Sequence, residues 1–150
     1  MDLRMQPGIL GTEASLLSDL TLLAYIMLIV PGALLGYLFA RRRRYEPHHK
    51  WTMTAITLVN WGLILFVMLA AYANAAAQIT SDVEPPALLL PTLHLITGGM
   101  AQILATYLVI RMWFEDRLPE RLKIQRIKAP MRATLGLWLI TAVLGAAIYV

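Results

Sequence analysis

The chain has 150 residues, of which 59% are hydrophobic and only 15% are charged. That composition excludes an ordinary soluble domain, because a soluble core could not hide so much apolar surface. The formal net charge of +4 does not indicate a nucleic-acid partner, since the cations stand in blocks between apolar runs and leave no folded domain outside them. With no cysteine, the chain has no disulfide, thiolate metal site or covalently attached haem.

The first apolar run covers residues 20–40 and contains no charge. A helix rises about 1.5 Å per residue, so this run is long enough to cross the roughly 30 Å hydrocarbon core of a bilayer. Before it, one cation (Arg4) stands against three acidic residues, unlike the basic start of a cleavable signal peptide. The run is therefore expected to remain in the mature protein, with a kink at Pro31.

Three further uncharged runs cover residues 51–77, 86–110 and 133–150. The last is near the lower limit of about 17 residues for a membrane-spanning helix, and none shows the period-two alternation of a membrane strand. The sequence predicts an all-α integral membrane protein in which residues 1–150 form one domain. Short connections favour a four-helix up-and-down bundle, with every acidic residue outside the spans.

The cations predict the orientation of the helices. Twelve of the 13 Lys and Arg residues flank the first and third connections, which the positive-inside rule assigns to the cytoplasm. The second connection carries Asp82 and Glu84 without a cation, so both termini are expected on the non-cytoplasmic side. One cluster is expected to set topology and to attract anionic lipid headgroups, at about 1 kcal/mol per cation. It consists of Arg41, Arg42, Arg43, Arg44 and Lys50.

Two polar residues lie at matching depths inside the apolar runs. Asn60 is about nine residues from the cytoplasmic end of the second span, and Gln102 is about eight from that of the third. Because polar side chains are costly in lipid, both should face the bundle. We expect an interhelical hydrogen bond worth roughly 1 kcal/mol, with ligand or quinone contact as the alternative.

His94 is the only histidine within a predicted span. It shares a helix face with Gly98, Ala101 and Ala105, and such small residues allow close approach of a neighbouring helix or a flat cofactor. Met68 has a compatible depth, and His/Met ligation occurs in haem proteins. His94 and Met68 are therefore candidate ligands of haem b, and His94 alone could bind a chlorophyll-type magnesium. Packing against another helix is the simpler interpretation.

Other chemistries find less support in the sequence. His48 and His49 adjoin the basic cluster, but adjacent helical side chains point about 100° apart, so they are not predicted to bind a metal together. There is no phosphate-binding loop, no zinc-protease helix motif and no carboxylate pair inside a span. An enzyme is not predicted, and no charge within a span marks a transport pathway.

Three stretches carry a resemblance to a known family: residues 48–53 (HHKWTM), residues 93–94, and residues 128–149 with Trp138, Gly145 and Tyr149. From His48 onward, the chain resembles the bacterial four-helix membrane family catalogued as domain of unknown function 420. Its members are often encoded near haem-copper oxidase and cytochrome assembly genes. The histidine usual in that family's basic segment is missing from residues 124–128. The resemblance implies the bacterial cytoplasmic membrane and a bioenergetic context, without implying a reaction.

Three functions are compatible with these features. The preferred one is a non-catalytic accessory subunit or assembly factor of a membrane electron-transfer complex, either respiratory or photosynthetic. Its expected partners are membrane lipids and other membrane subunits. The second is a small b-type cytochrome or quinone-contacting protein that uses His94 and Met68. The third is a pigment- or lipid-contacting structural subunit.

Overall fold

The computed structural model describes residues 8–11, 16–69 and 89–148, and it contains no strand within them. Four helices in these ranges are long and apolar enough to cross a membrane, which confirms the predicted all-α class. They are α1 (Ser18–Arg41), α2 (Tyr45–Met68), α3 (Leu89–Arg117) and α4 (Lys128–Ile148). The predicted ends of the spans at residues 70–77, 86–88 and 149–150 lie outside the described residues.

All four helices continue past their uncharged runs at the basic end; α1 ends at Arg41 and α2 begins at Tyr45. The regular α-helix of α3 runs through Phe114 and so includes Arg111, and α4 begins at Lys128, five residues before the uncharged run. Long basic side chains permit this, because their stems lie along apolar surface while the charged groups reach toward water. A prediction from hydropathy alone therefore ended α3 too early and began α4 too late.

Asp19 lies within α1, although every acidic residue was expected outside the spans. It is in the first turn of the helix and is 0% exposed. Its Oδ2 accepts a hydrogen bond from the Leu10 backbone N–H at 2.9 Å. The positive end of the helix dipole also favours a carboxylate in the first turn, so a charge here is less costly than in mid-helix.

Helix α1 adapts to Pro31 by changing its hydrogen-bonding pattern. A π-helical turn, Tyr25–Ile29, lies directly before the segment that contains Pro31. Proline has no N–H to donate, and its ring crowds the carbonyl four residues earlier, so a widened turn relieves that contact. A second π-helical turn, Ile64–Met68, ends the described part of α2.

The helices pack through small residues and expose large ones. The buried core includes Ile29 and Ala33 of α1, Ala101 and Ala105 of α3, and Trp138 of α4. Helices α3 and α4 make the most extensive contact, and α2 contacts both α1 and α3. Large apolar side chains point outward on all four helices, as a lipid-facing surface requires; they include Met27, Phe66, Ile103 and Val143.

The turn between α1 and α2 contains Arg43 in the left-handed region, with φ 57°. A residue with a Cβ is disfavoured there by about 1 kcal/mol or more, and glycine is the usual choice just after a helix. Arg43→Gly is therefore expected to raise the free energy of unfolding by about 0.5–1 kcal/mol, as measured in neutral detergent.

The matched control for Arg43→Gly is Arg42→Gly. Arg42 has φ −82° and ψ 8°, so it carries no left-handed strain that glycine could relieve. This substitution should lower stability slightly, because glycine only adds freedom to the unfolded chain. Equal effects of the two substitutions would contradict the assignment of strain to Arg43.

Candidate functional site

Asn60 and Gln102 meet between α2 and α3. The Asn60 Nδ2 donates to Gln102 Oε1 at 2.7 Å, and the Gln102 Nε2 donates to the Thr57 backbone carbonyl at 3.0 Å. Gln102 is only 1% exposed. The Asn60 Oδ1 is buried without a hydrogen-bond partner among the described residues. The pair thus joins α2 to α3, and most of the nitrogen and oxygen atoms of its two amides make hydrogen bonds in that contact.

Further hydrogen bonds extend this contact along both helices. The Trp61 Nε1 donates to Thr106 Oγ1 and the Trp113 Nε1 donates to Thr54 Oγ1, both at 2.9 Å. The Trp113 ring also lies edge-on to Trp51, with centroids 5.1 Å apart. Together with the amide pair, these contacts form a polar seam that holds α2 and α3 in one register.

His94 and Met68 both line one small cavity of about 150 Å³. Tyr25 also lines it, so the π-helical turns of α1 and α2 both contribute. Cavities that enclose a ligand of drug size measure about 300–1,000 Å³. The small cavity is below that range, so its volume does not favour a haem between His94 and Met68.

His94 is engaged by α4. Its Nδ1 lies 3.1 Å from the Thr141 carbonyl oxygen, which can only accept, so that nitrogen carries the proton. A Cβ added at Gly145 would lie 3.0 Å from the His94 Cε1, so a side chain there would crowd the imidazole. On the same face of α3, a Cβ at Gly98 would lie 3.1 Å from Thr141 Cγ2. The face of small residues thus receives α4, which favours the packing interpretation.

A larger cavity, of about 770 Å³, opens where the basic ends of the four helices meet, and all four helices line it. Its inner walls are mostly apolar and include Met53, Leu108 and Trp138. Four cations also line it, two from the end of α1 and the turn after it and two from the start of α4, and so does the Arg111–Glu115 ion pair of α3. We call this space the basic cavity and these cations the basic rim: Arg41, Arg43, Lys128 and Arg132.

Two buried ring nitrogens of residues that line the basic cavity have no hydrogen-bond partner among the described residues. His49 is 4% exposed; its Nδ1 donates to the Gly36 carbonyl at 2.8 Å, and its Nε2 is unpartnered. Trp138 is 2% exposed, and its Nε1 is likewise unpartnered. Buried polar groups without partners are rare, and both of these belong to residues that line the basic cavity.

The predicted headgroup cluster divides into two groups. Arg41 and Arg43 line the basic cavity and Arg42 and Arg44 do not, although all four are exposed. The Lys50 Nζ is bound to Glu46 Oε1 at 2.9 Å and lies 4.3 Å from the centre of the Trp113 ring. The five cations of this cluster, which the sequence does not distinguish, therefore lie in three different environments.

Sequence reasoning did not separate His49 from His48. His48 is exposed and lies 5.4 Å from the Phe39 ring, centroid to centroid, whereas His49 is buried. A signal was present, because His49 shares the inward face of α2 with Met53, Ile56 and Asn60 at intervals of four, three and four residues. Arg111 was also overlooked; it is 9% exposed and donates to the Ile124 carbonyl at 2.5 Å and to Glu115 Oε1 at 3.1 Å.

Within the described ranges, no group of three or more His, Cys, Asp or Glu side chains is placed to hold a metal ion. A scan of protein-family models, a search of curated proteins and a search of solved structures each found no match to the chain. The resemblance to domain of unknown function 420 therefore stays an expectation from the residues that carry it.

Proposed function

We propose that the chain is a non-catalytic accessory subunit or assembly factor of a membrane electron-transfer complex in the bacterial cytoplasmic membrane. Its helices would form an up-and-down bundle with both termini outside and the basic ends in the cytoplasm. The convergence of the basic ends around one cavity supports this orientation, because the positive-inside rule assigns all of them to one side. The electron-transfer context rests on the family resemblance alone.

The observation that carries the non-catalytic role is the use of polar side chains between helices. Asn60 and Gln102 bond each other, Trp61 bonds Thr106, and His94 bonds the α4 backbone. Such bonds stabilise helix association in a membrane. In addition, only 17–22% of the most apolar window of each helix is buried within the chain. Most of the helix surface is therefore free to contact lipids or other subunits.

The cofactor alternatives receive less support from the geometry. A haem held by His94 and Met68 would need more room than the cavity of about 150 Å³ that they share. A pigment bound by His94 alone would compete with the contacts of its ring to Thr141 and Gly145. Lipid contact is better supported, because the basic cavity combines apolar walls with a basic rim.

Gentle purification of the native protein tests the accessory role. We expect the chain to migrate on a native gel within a larger complex, whose other subunits mass spectrometry would identify. We also expect its oxidised and reduced absorption spectra to be unchanged by His94→Ala, because that ring is used in packing. A chain that migrates alone as a monomer would contradict the proposal. A visible band that His94→Ala abolishes would support the cytochrome or pigment alternative instead.

A further inference from the structure

We propose that the basic cavity binds one anionic phospholipid. The basic rim holds its phosphate, the apolar walls contact its acyl region, and the Trp138 indole N–H donates to an ester oxygen between them. This site is independent of the accessory role, since a subunit of a larger complex and a solitary bundle could both contain it.

The charge of the rim identifies an anionic headgroup. Among the described residues, no acidic side chain pairs with a rim cation, and the carboxylate that lines the cavity, Glu115, pairs with Arg111 at 3.1 Å. Four like charges around one opening repel each other, and a bound anion relieves that repulsion. Arginine is well suited to this, because its planar guanidinium can bind two phosphate oxygens at once.

The size and walls of the cavity identify an amphiphile rather than a free anion. Its volume of about 770 Å³ is within the range of about 300–1,000 Å³ that is typical of ligand cavities. Below the rim, the walls consist largely of aliphatic and aromatic side chains, among them Tyr37, Leu108, Leu135 and Trp138. A small soluble anion would leave these walls without a partner, whereas acyl chains would cover them.

The depth of Trp138 matches the proposed contact with an ester oxygen. Trp138 follows Arg132 by six residues, which corresponds to a rise of about 9 Å along α4. Helical side chains lean toward the N-terminus, and the N-terminus of α4 is its basic end, so the indole approaches the rim. In a phospholipid, the ester groups lie only a few bonds below the phosphate, within this interval.

Phosphatidylglycerol is the probe of choice, because it combines an anionic phosphate with two acyl esters. The His49 Nε2 takes no part in the proposed contact with the headgroup. The His49 ring bonds to the Gly36 carbonyl, five residues or about 7.5 Å from Arg41 along α1, and it therefore lies on the acyl side of the rim.

Native mass spectrometry of the full-length protein in a non-ionic detergent tests the proposal. The probes are phosphatidylglycerol, zwitterionic phosphatidylcholine and sn-glycerol 3-phosphate, which has the headgroup chemistry without acyl chains. We expect the first phosphatidylglycerol to bind about tenfold more tightly than phosphatidylcholine, and glycerol phosphate to bind more weakly than either. In Arg41→Gln/Arg43→Gln, the affinity for phosphatidylglycerol should fall about thirtyfold.

The matched control is Arg42→Gln/Arg44→Gln, which removes the same charge from the same turn outside the basic cavity. Its affinity for phosphatidylglycerol should stay within about twofold of wild type. Trp138→Phe keeps a smaller aromatic ring and removes the N–H, which has no partner among the described residues, together with part of the bicyclic indole. It should lower the lipid-free melting temperature, because the smaller ring leaves a cavity at a site that is 2% exposed, and it should also lower the affinity for phosphatidylglycerol about fivefold.

Three outcomes would overturn the proposal. Equal losses in the two arginine double variants would mean that the lipid responds to overall charge and not to the basic cavity. Equal affinity for phosphatidylglycerol and phosphatidylcholine would remove the role of the rim, and tight binding of glycerol phosphate would identify a soluble anion as the ligand. Unchanged affinity in Trp138→Phe would refute the hydrogen bond to an ester oxygen.

Discussion

Replacing Gly36 with leucine is expected to lower the free energy of unfolding by about 2–3 kcal/mol, because the new side chain must separate α1 from α2. A Cβ at Gly36 would lie 2.5 Å from the Met53 Sδ and 3.9 Å from the His49 Nδ1. The same displacement would stretch the hydrogen bond from His49 to the Gly36 carbonyl. Reversible unfolding in mixed micelles, with increasing denaturing detergent, measures the loss.

Gly136→Leu and Gly99→Leu are the matched controls for this prediction. A Cβ at either position meets nothing within 4 Å, so leucine can point into the lipid. Both substitutions should be neutral or slightly stabilising, because leucine has a higher helix propensity than glycine. Were they to cost as much as Gly36→Leu, the effect would come from helix glycines in general and not from the contact between α1 and α2.

Gln102→Leu should lower the free energy of unfolding by about 1–2 kcal/mol. The substitution removes both hydrogen bonds of the side chain, to Asn60 and to the Thr57 carbonyl. It also leaves the Asn60 amide entirely without partners, because the Asn60 Oδ1 has none among the described residues even in the native protein. Unfolding in mixed micelles is again the measurement.

A double-mutant cycle with Asn60→Leu supplies the control. Asn60→Leu should cost less than Gln102→Leu, since it breaks one hydrogen bond and removes an unpartnered oxygen. The double variant should be about as stable as Gln102→Leu alone, because the second substitution removes the orphaned amide. Strictly additive losses would show that the two side chains do not act together.

The polar seam and the basic cavity share helix α2. His49 and Met53 line the cavity, and Asn60 lies on the same face about two turns beyond Met53. The seam thus sets the rotation of α2 about its axis and, with it, the direction of the His49 ring. Loss of the seam is expected to weaken lipid binding as well as stability, whereas loss of the rim is expected to weaken lipid binding alone.

The sequence was sufficient to predict which positions on neighbouring helices lie at the same level. The predicted meeting of Asn60 and Gln102 rested only on a rise of 1.5 Å per residue and on the direction of each helix. Their side chains lie 2.7 Å apart, Nδ2 to Oε1. Met68 and His94, matched in depth by the same reasoning, line one cavity. The position of each residue along its helix axis is enough to predict such pairs, because the rise per residue is nearly constant.

The rotation of each helix and the volume between helices were not predicted. His48 and His49 are adjacent in sequence, yet one is exposed and the other buried. Arg41 and Arg42 are both exposed, yet only Arg41 lines the basic cavity. Asp19 was expected outside the first span, because hydropathy alone takes no account of the hydrogen bond that its Oδ2 accepts from the Leu10 backbone N–H.

Composition, uncharged run lengths and the order of the charges are sufficient to predict four helices that could cross a membrane and the end at which their cations gather. These are properties of each helix alone, governed by apolar length and the cost of burying charge. Which cations surround a cavity, and which histidine contributes a buried nitrogen to it, depends on how the helices rotate and pack. That packing follows from contacts between distant residues, such as Gly36 with Met53 and His94 with Gly145, which no local pattern encodes.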